Sequence, residues 1–330
     1  MSTGSALPHQ HAAIPREVQS DVHKLKARPD ETRVRKLSAF KHTITPGPEG
    51  PFKPEKDRYH LYVSYACPYA TRTLIVRQLK GLEEIIPITV LSPRMDEVGW
   101  CFANVDPFPG AEVDPLHGAS HLKDLYLRAE PEYVGKLSVP VLWDKQQDTI
   151  VNNESSDIIR VFNSAFNALL PTDKAALDLY PEPLRPEIDE LNAWVYDTLN
   201  YGVYKAGFAQ TQAAYEAGVF PVFESLDRLA KMLTGKDYLV GSRLTEADIR
   251  LFVTIIRFDV VYYGHFKCNI RSIRSDYPEL HRWMRKLYWT VPAFKDTCDF
   301  QHIKTGYYSA AHINPTKVTP VGPVPDILPL

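Results

Sequence analysis

Residues 59–79 read YHLYVSYACPYATRTLIVRQL, a strand, a sharp turn and a helix. Tyr59, Leu61, Val63 and Tyr65 recur at period two among β-branched and aromatic neighbours, the pattern of a half-buried strand. Cys67 follows, then Pro68 at the first helical turn, where proline's missing N–H costs nothing. Ala70, Leu74, Ile75 and Leu79 then recur at helical spacing. Cys67 therefore falls at a helix N-terminus, where free backbone N–H groups and the positive dipole end favour a thiolate.

A free cysteine is most often a small buried hydrophobe. The strand–Cys–Pro–helix arrangement favours a reactive thiol instead. The segment Cys67-Pro68-Tyr69-Ala70 lacks the second cysteine of a dithiol oxidoreductase. With no resolving thiol one turn on, a mixed disulfide formed at Cys67 must be opened by a thiol from solution. Glutathione, used as a co-substrate with no bound cofactor, fits that requirement.

At 330 residues the chain is comfortable for two domains. Hydrophobic residues at 44% and charged residues at 24% are ordinary for a globular protein. A net charge of -2 gives no reason to expect nucleic acid or an anionic membrane as partner. Cys67, Cys101, Cys268 and Cys298 have no repeating spacing, so neither a disulfide framework nor a metal site is expected. A reducing, cytoplasmic setting follows. No apolar run is long enough to span a bilayer, and the N-terminus lacks a signal-peptide core. Glu17, Asp21, Asp30 and Glu31 interrupt the early basic residues, which weakens a mitochondrial reading without removing it.

In chain order, residues 1–56 read as an irregular extension, with a short mixed-charge helix over 16–42 and a turn-rich approach TPGPEGPFKPEK. EIIPITVL, Glu84 to Leu91, reads as a second strand, with Pro87 suited to an edge or a bulge. Residues 92–130 form a long connection containing a short helix over Ser120 to Leu127. Trp100 and Phe102 inside it either meet a ligand or pin the loop. SVPVLW, Ser138 to Trp143, is a strand opening on Val139-Pro140, where a cis bond would leave the preceding backbone free to pair with a ligand peptide. Thr149 to Val151 is its short partner. Asn153 to Asp157 opens a helix running to about Phe166, with polar caps and an N-terminus able to hold a carboxylate. The proline-rich stretch 171–186 reads as a linker. Helices follow over Glu187–Asn200, Ala213–Leu233, Thr245–Tyr262 and Pro278–Leu287. Thr245-Glu246-Ala247-Asp248 resembles a capping box, read as helix nucleation. The tail from Asn314 reads as extended. The first half thus alternates strand and helix and the second is all helix.

That order, with Tyr65-Ala66-Cys67-Pro68-Tyr69-Ala70, Gly99-Trp100, Val139 to Asp144, Asn152 to Ser155, Asn200 to Phe208, Arg257-Phe258-Asp259, His265 to Cys268 and His312 to Pro315, resembles a glutathione transferase. The match is nearest to the Xi class, the glutathionyl-hydroquinone reductases. The resemblance implies a thioredoxin-like α/β N-terminal domain over 57–170 and an all-α C-terminal domain over 187–313, joined by the 171–186 linker and followed by a 314–330 tail. It also implies a homodimer. Two positions depart from the family pattern: Tyr69 stands where tryptophan is usual, and Lys136 where arginine is common.

The activity implied is reduction of glutathionyl-hydroquinones to hydroquinones through a Cys67–glutathione mixed disulfide that a second glutathione resolves. By motif match, Tyr204 is the acid–base residue, while Tyr262 and Tyr307 hydrogen-bond the thiolate. Tyr263 and Tyr308 are the adjacent candidates. Trp100, Val139, Glu154, Ser155 and Lys136 would hold glutathione: Trp100 against the peptide, Val139 backbone to backbone, Glu154 on the ammonium, Ser155 and Lys136 on carboxylates. His265 and His312 fall in matching strings without a chemical role. Two other readings stand beside this one. One is an Omega-like thiol transferase or dehydroascorbate reductase using the same cysteine. The other is a non-catalytic binding scaffold, for which a thiol at that helix end would be idle.

Overall fold

The computed structural model describes residues 40–47 and 50–330. Most of the expected extension, including nearly all of the 16–42 helix, lies outside the described residues.

Four strands form one sheet in the order β2-β1-β3-β4. β1 is Tyr59–Val63, β2 Ile88–Val90, β3 Val141–Asp144 and β4 Thr149–Asn152. β1 pairs parallel with β2 and antiparallel with β3, with Leu61 opposite Leu142, and β3 pairs antiparallel with β4. β2 starts only after Pro87, shorter than the expected Glu84 to Leu91 strand. It lies at the sheet edge, where a proline is tolerated.

All five β1 residues are buried, not alternate ones. One face carries Tyr59, Leu61 and Val63, and the helices α1, Pro68–Leu79, and α3, Ser155–Ser164, pack against each other. The other carries His60 and Tyr62 and is covered by the long 92–130 connection. Tyr62 donates to Asp114 at 2.8 Å and packs edge-on against Phe102. Glu112 donates its N–H to Val90 O, and Val90 N–H donates back to its carboxylate. The connection thereby satisfies the open edge of β2, the group of a sheet most in need of a partner. Trp100 and Phe102 are both buried, and Phe102 anchors this loop against Tyr62. Its helix, α2, is Leu122–Ala129, capped at His121 with Asp124.

The stretch read as a linker contains helix α4, Thr172–Ala176, and a single turn at Glu182–Leu184; α5, Arg185–Val195, already begins within it. It is pinned by Lys80, whose buried ammonium donates to Leu177 O at 2.6 Å.

The remainder is helical. α6 is Gly202–Gly207, α7 Gln212–Met232, α8 Glu246–Arg257, α9 Ile273–Asp276, α10 Pro278–Thr290, α11 Pro292–Lys295 and α12 Phe300–Tyr308. Two π-helical turns, Tyr196–Asn200 and Phe258–Tyr262, interrupt the expected regular helices. Each is closed by a bond to the fifth residue back, Tyr201 N to Tyr196 O and Tyr263 N to Phe258 O, both 2.8 Å. Residues beyond Asn314 have no regular structure, but they fold back onto the helices. Lys304 donates to Val321 O and pairs with Asp326, Trp289 donates to Leu328 O, and Ile327 is buried. Among the described residues no helix is long and apolar enough to cross a membrane.

Candidate active site

Cys67 caps α1, with extended backbone at φ -81 and ψ 118. Its carbonyl accepts from Thr71 N at 3.0 Å, the first bond of the helix. A cation that sequence reasoning had no role for sets the turn before it. Arg257, fully buried at the end of α8, donates to Tyr65 O and Thr71 Oγ1, both at 2.8 Å, and to Ala66 O at 3.4 Å. It ties the helical half to the turn that presents the thiol. α12 presses on the same turn from above. A Cβ at Gly306 would fall 2.5 Å from Ala66 Cβ and 3.0 Å from Pro93 O, so only glycine allows that approach.

Cys67 is 6% exposed, and its Sγ donates to Val139 O at 3.5 Å, just before the cis Val139-Pro140 bond. Burial pushes the Cys67 thiol up from the ordinary value of 9.0. The backbone N–H groups of Ala70 and Tyr69 and the charges of Arg257 and Lys136 pull it down without reversing that. A helix N-terminus alone predicts a lowered value. Here desolvation of the charged form outweighs the dipole. Alkylation of Cys67 by iodoacetamide in the free protein is therefore expected to keep rising above pH 9, because only the thiolate reacts. A plateau reached below pH 7 would contradict this balance.

Cys67 lines a cavity between the sheet and the helices, together with Trp100, Lys136, Val139, Tyr204 and Tyr307. Tyr204 rises from α6 and Tyr307 from α12; their hydroxyls meet at 2.5 Å. Tyr262, at the end of the second π turn, meets Tyr307 at 3.1 Å from behind. All three are buried, and burial pushes each phenol up, Tyr204 and Tyr307 well above the ordinary range. Their shared hydrogen bonds make a three-member chain with Tyr307 in the middle. Sγ is paired with the Val139 carbonyl and not with a phenol. Of the adjacent candidates, Tyr263 points to the surface and Tyr308 packs on His265.

Glu154 and Ser155 lie at the start of α3 and do not reach this cavity wall. Glu154 caps α3, accepting from Ser156 N at 3.1 Å and Ser156 Oγ at 3.0 Å. Burial pushes its carboxyl up, but the Ser156 bonds and the charges of Arg72 and Arg250 hold it below the ordinary value. It is an ionised carboxylate in a largely enclosed setting, suited to an ammonium partner.

Much of the remaining lining is aromatic and aliphatic: Phe208, Phe266, Ile313, Met95 and Pro93. Phe266 seats against Gly207, where a Cβ would fall 2.3 Å from its ring. Tyr69 and His265 also line the cavity, and each carries a buried polar atom, the Tyr69 hydroxyl and His265 Nε2, with no hydrogen-bond partner among the described residues. Sequence reasoning did not single out these wall residues as a set. They come from separate helices, and no spacing links them.

A cysteine beside a peptide carbonyl, a basic residue and linked phenols, facing an apolar slot, is suited to exchange at sulfur with a proton delivered to an aromatic partner. The family of glutathione S-transferase N-terminal domains matches residues 66–165, and that of the C-terminal domains matches 212–286. Glutathione S-transferase omega-like 2 of Schizosaccharomyces pombe is 52% identical over 89% of this chain and 94% of its own. The glutathionyl-hydroquinone reductase YqjG of Escherichia coli K12 is 52% identical over 89% of each chain. Its glutathione-bound structure superposes with a TM-score of 0.81 over 86% of this chain and 92% of that one. The glutathione-S-transferase Xi of Phanerochaete chrysosporium is 69% identical, with a TM-score of 0.88 over 90% of this chain and 94% of that one. The chain belongs to the glutathione transferase family, in its Xi class.

Proposed function

We propose that the protein is a glutathionyl-hydroquinone reductase working through Cys67. The observation that carries this reading is the meeting of one thiol and two linked phenols, Tyr204 and Tyr307, on the wall of a single cavity. The relative named for that activity and the glutathione-bound structure of that same protein support it. The sheet-bearing half holds glutathione through Trp100, Val139 and Lys136, with Glu154 and Ser155 at the start of α3. The helical half supplies the phenols and the apolar slot for the ring.

Cys67 sulfur attacks the glutathione sulfur of the conjugate. The sulfur–ring bond breaks, and its electron pair stays on the ring carbon. The thiol's proton is lost from Cys67 and a proton is delivered to that carbon, so hydroquinone leaves with no net proton change. The ring is reduced by two electrons and the two sulfurs are oxidised to a mixed disulfide. A second glutathione attacks the glutathione sulfur of that disulfide, releasing glutathione disulfide and restoring the thiol. The proton that Cys67 gives up to become the attacking thiolate is matched by the one the product takes up.

Tyr204 donates the proton to the ring carbon, and Tyr307 and Tyr262 hold its hydroxyl in line and re-supply it. Tyr204→Phe is expected to lower kcat by roughly 10²–10⁴-fold, the ordinary worth of a general acid, with glutathione affinity little changed. A kinetic assay of hydroquinone release checks this, and an undiminished rate would remove Tyr204 from that role. Turnover of dehydroascorbate in place of any glutathionyl-hydroquinone would favour the Omega-like reading.

A further inference from the structure

Arg257 closes α8 and is fully buried. Its hydrogen-bond partners are all neutral. Nη1 donates to Val253 O at 2.8 Å, Nη2 to Tyr65 O and Thr71 Oγ1 at 2.8 Å each, and Nε to Ala66 O at 3.4 Å. Thr71 Oγ1 donates in turn to the carbonyl of Cys67 itself at 3.1 Å. The guanidinium is thus fastened to the chain on both sides of the sulfur-bearing residue. Among the described residues no carboxylate pairs with it. Asp259, two positions on, accepts from Ile273 N and Arg274 N. Glu246, at the other end of α8, holds Arg160.

A buried charge is ordinarily set against an opposite one, because desolvation penalises it otherwise. The groups around Arg257 that can become anions are the Cys67 and Cys298 thiols and the phenols of Tyr262 and Tyr307. Burial pushes all four up, and the Arg257 charge pulls each of them back. Of the four, only Cys67 must ionise for chemistry at sulfur. Lys136, His265 and the phenols of Tyr69, Tyr204 and Tyr307 share the cavity with Cys67. Burial and the charges of His312 and Lys267 push His265 down to about 4, so it is neutral near pH 7. Lys136 is then the one cation on the cavity side of the sulfur among the described lining residues, and Arg257 the one behind the turn.

We propose that Arg257 is a positioning residue that serves as the counter-charge of the Cys67 thiolate, both when the sulfur attacks and when it leaves. This rests on the reading above for the steps it serves, but not for the ionisation itself. In the second step glutathione attacks the glutathione sulfur of the mixed disulfide. The sulfur–sulfur bond breaks, and its electron pair goes to Cys67, which departs as a thiolate. A thiol of lower pKa leaves faster, so a fixed positive charge behind the turn favours that departure. Arg257 does not line the cavity, so a ring bound in the slot leaves the charge in place.

Arg257→Gln removes the charge and keeps an amide donor for the turn. Alkylation of Cys67 by iodoacetamide, followed by peptide mass across a pH series, is expected to have its midpoint about one unit higher than in the natural chain. That is a roughly tenfold scarcer thiolate at a given pH, and the shift is upward because losing a nearby cation disfavours the charged form. In the natural chain the Cζ resonance of Arg257 should move as Cys67 titrates, and it should stay still over the same pH range in Cys67→Ser. An unchanged midpoint in folded Arg257→Gln, or an Arg257 resonance indifferent to Cys67, overturns the proposal. The resonance is read with Arg257 in place, so it decides the matter even if Arg257→Gln fails to fold. Alkylation needs no glutathione, so a failed reductase assay with the shift intact would sink the proposed activity and leave Arg257 in its role. The reverse result would do the opposite.

Discussion

Cys67→Ser is expected to stop hydroquinone release from a glutathionyl-hydroquinone, with a loss of at least 10³-fold and on the order of that seen when other nucleophiles are removed. The hydroxyl is nearly the size of the thiol, so the turn held by Arg257 and the contact with Val139 O survive. What is lost is the ability to form a disulfide, without which the second glutathione has nothing to open. The other three cysteines offer no substitute. Burial pushes Cys101 up to about 11 and Cys268 and Cys298 up to about 12, and none of the three lines the Cys67 cavity. The variant should still bind glutathione, measured by calorimetry, while product release measured by chromatography disappears. Retention of even a tenth of the natural rate would put the chemistry elsewhere.

Asp248→Ala is expected to cost about 3–5 kcal/mol of stability, at the upper end of what single substitutions do. Asp248 is fully buried and accepts from Leu239 N at 3.0 Å, Thr245 N at 3.1 Å, Thr245 Oγ1 at 3.3 Å and Trp283 Nε1 at 3.2 Å. Alanine would leave three buried N–H groups without an acceptor, each costing about 1–3 kcal/mol, and a cavity besides. Burial raises the Asp248 carboxyl from 3.8 to about 6. The folded state therefore binds a proton more readily than the unfolded chain between those values. The natural protein gains on the variant as pH falls from 7 toward 4, and the gap should widen by up to about 3 kcal/mol. Denaturant melts of both proteins at several pH values test it. A loss under 1 kcal/mol, or a gap that narrows on acidification, would contradict the account.

The two residues show what a sequence does and does not disclose. Cys67 was legible because its setting is local: strand, turn, proline and helix lie within one short run. The charge state of its thiol was not, because a helix-end argument counts the dipole and omits the burial that several distant segments impose. At Asp248 the capping box was visible and is present. The further bonds to Leu239 N and Trp283 Nε1, which join separate parts of the helical half, have no signature in the box itself. The one-sided strand pattern of β1 anticipated half its burial. The 92–130 connection buries the other face through Asp114 and Phe102, and a period-two reading takes no account of a covering loop.

The tyrosines were placed by resemblance, and periodicity alone would have misdirected them. The Phe258–Tyr262 π turn adds a residue to the ladder and so changes which side chain faces inward, bringing Tyr262 to Tyr307 and leaving Tyr263 half out in solvent. α12, which carries Tyr307, was not anticipated as a helix. It has nine residues, and its signal is a single cap, Asp299 accepting from His302 N. Arg257 fell in a matching string but carried no role there: it is a buried cation whose partners include carbonyls nearly two hundred residues earlier in the chain.

The central claim is that turnover passes through a covalent bond between Cys67 and glutathione. Mixing the protein with a glutathionyl-hydroquinone in the absence of free glutathione, followed by intact-mass analysis and peptide mapping, tests it directly. One glutathione per chain is expected, located on Cys67, appearing with one equivalent of hydroquinone and removed by added glutathione. Hydroquinone formed with no adduct, or an adduct confined to Cys101, Cys268 or Cys298, would contradict it.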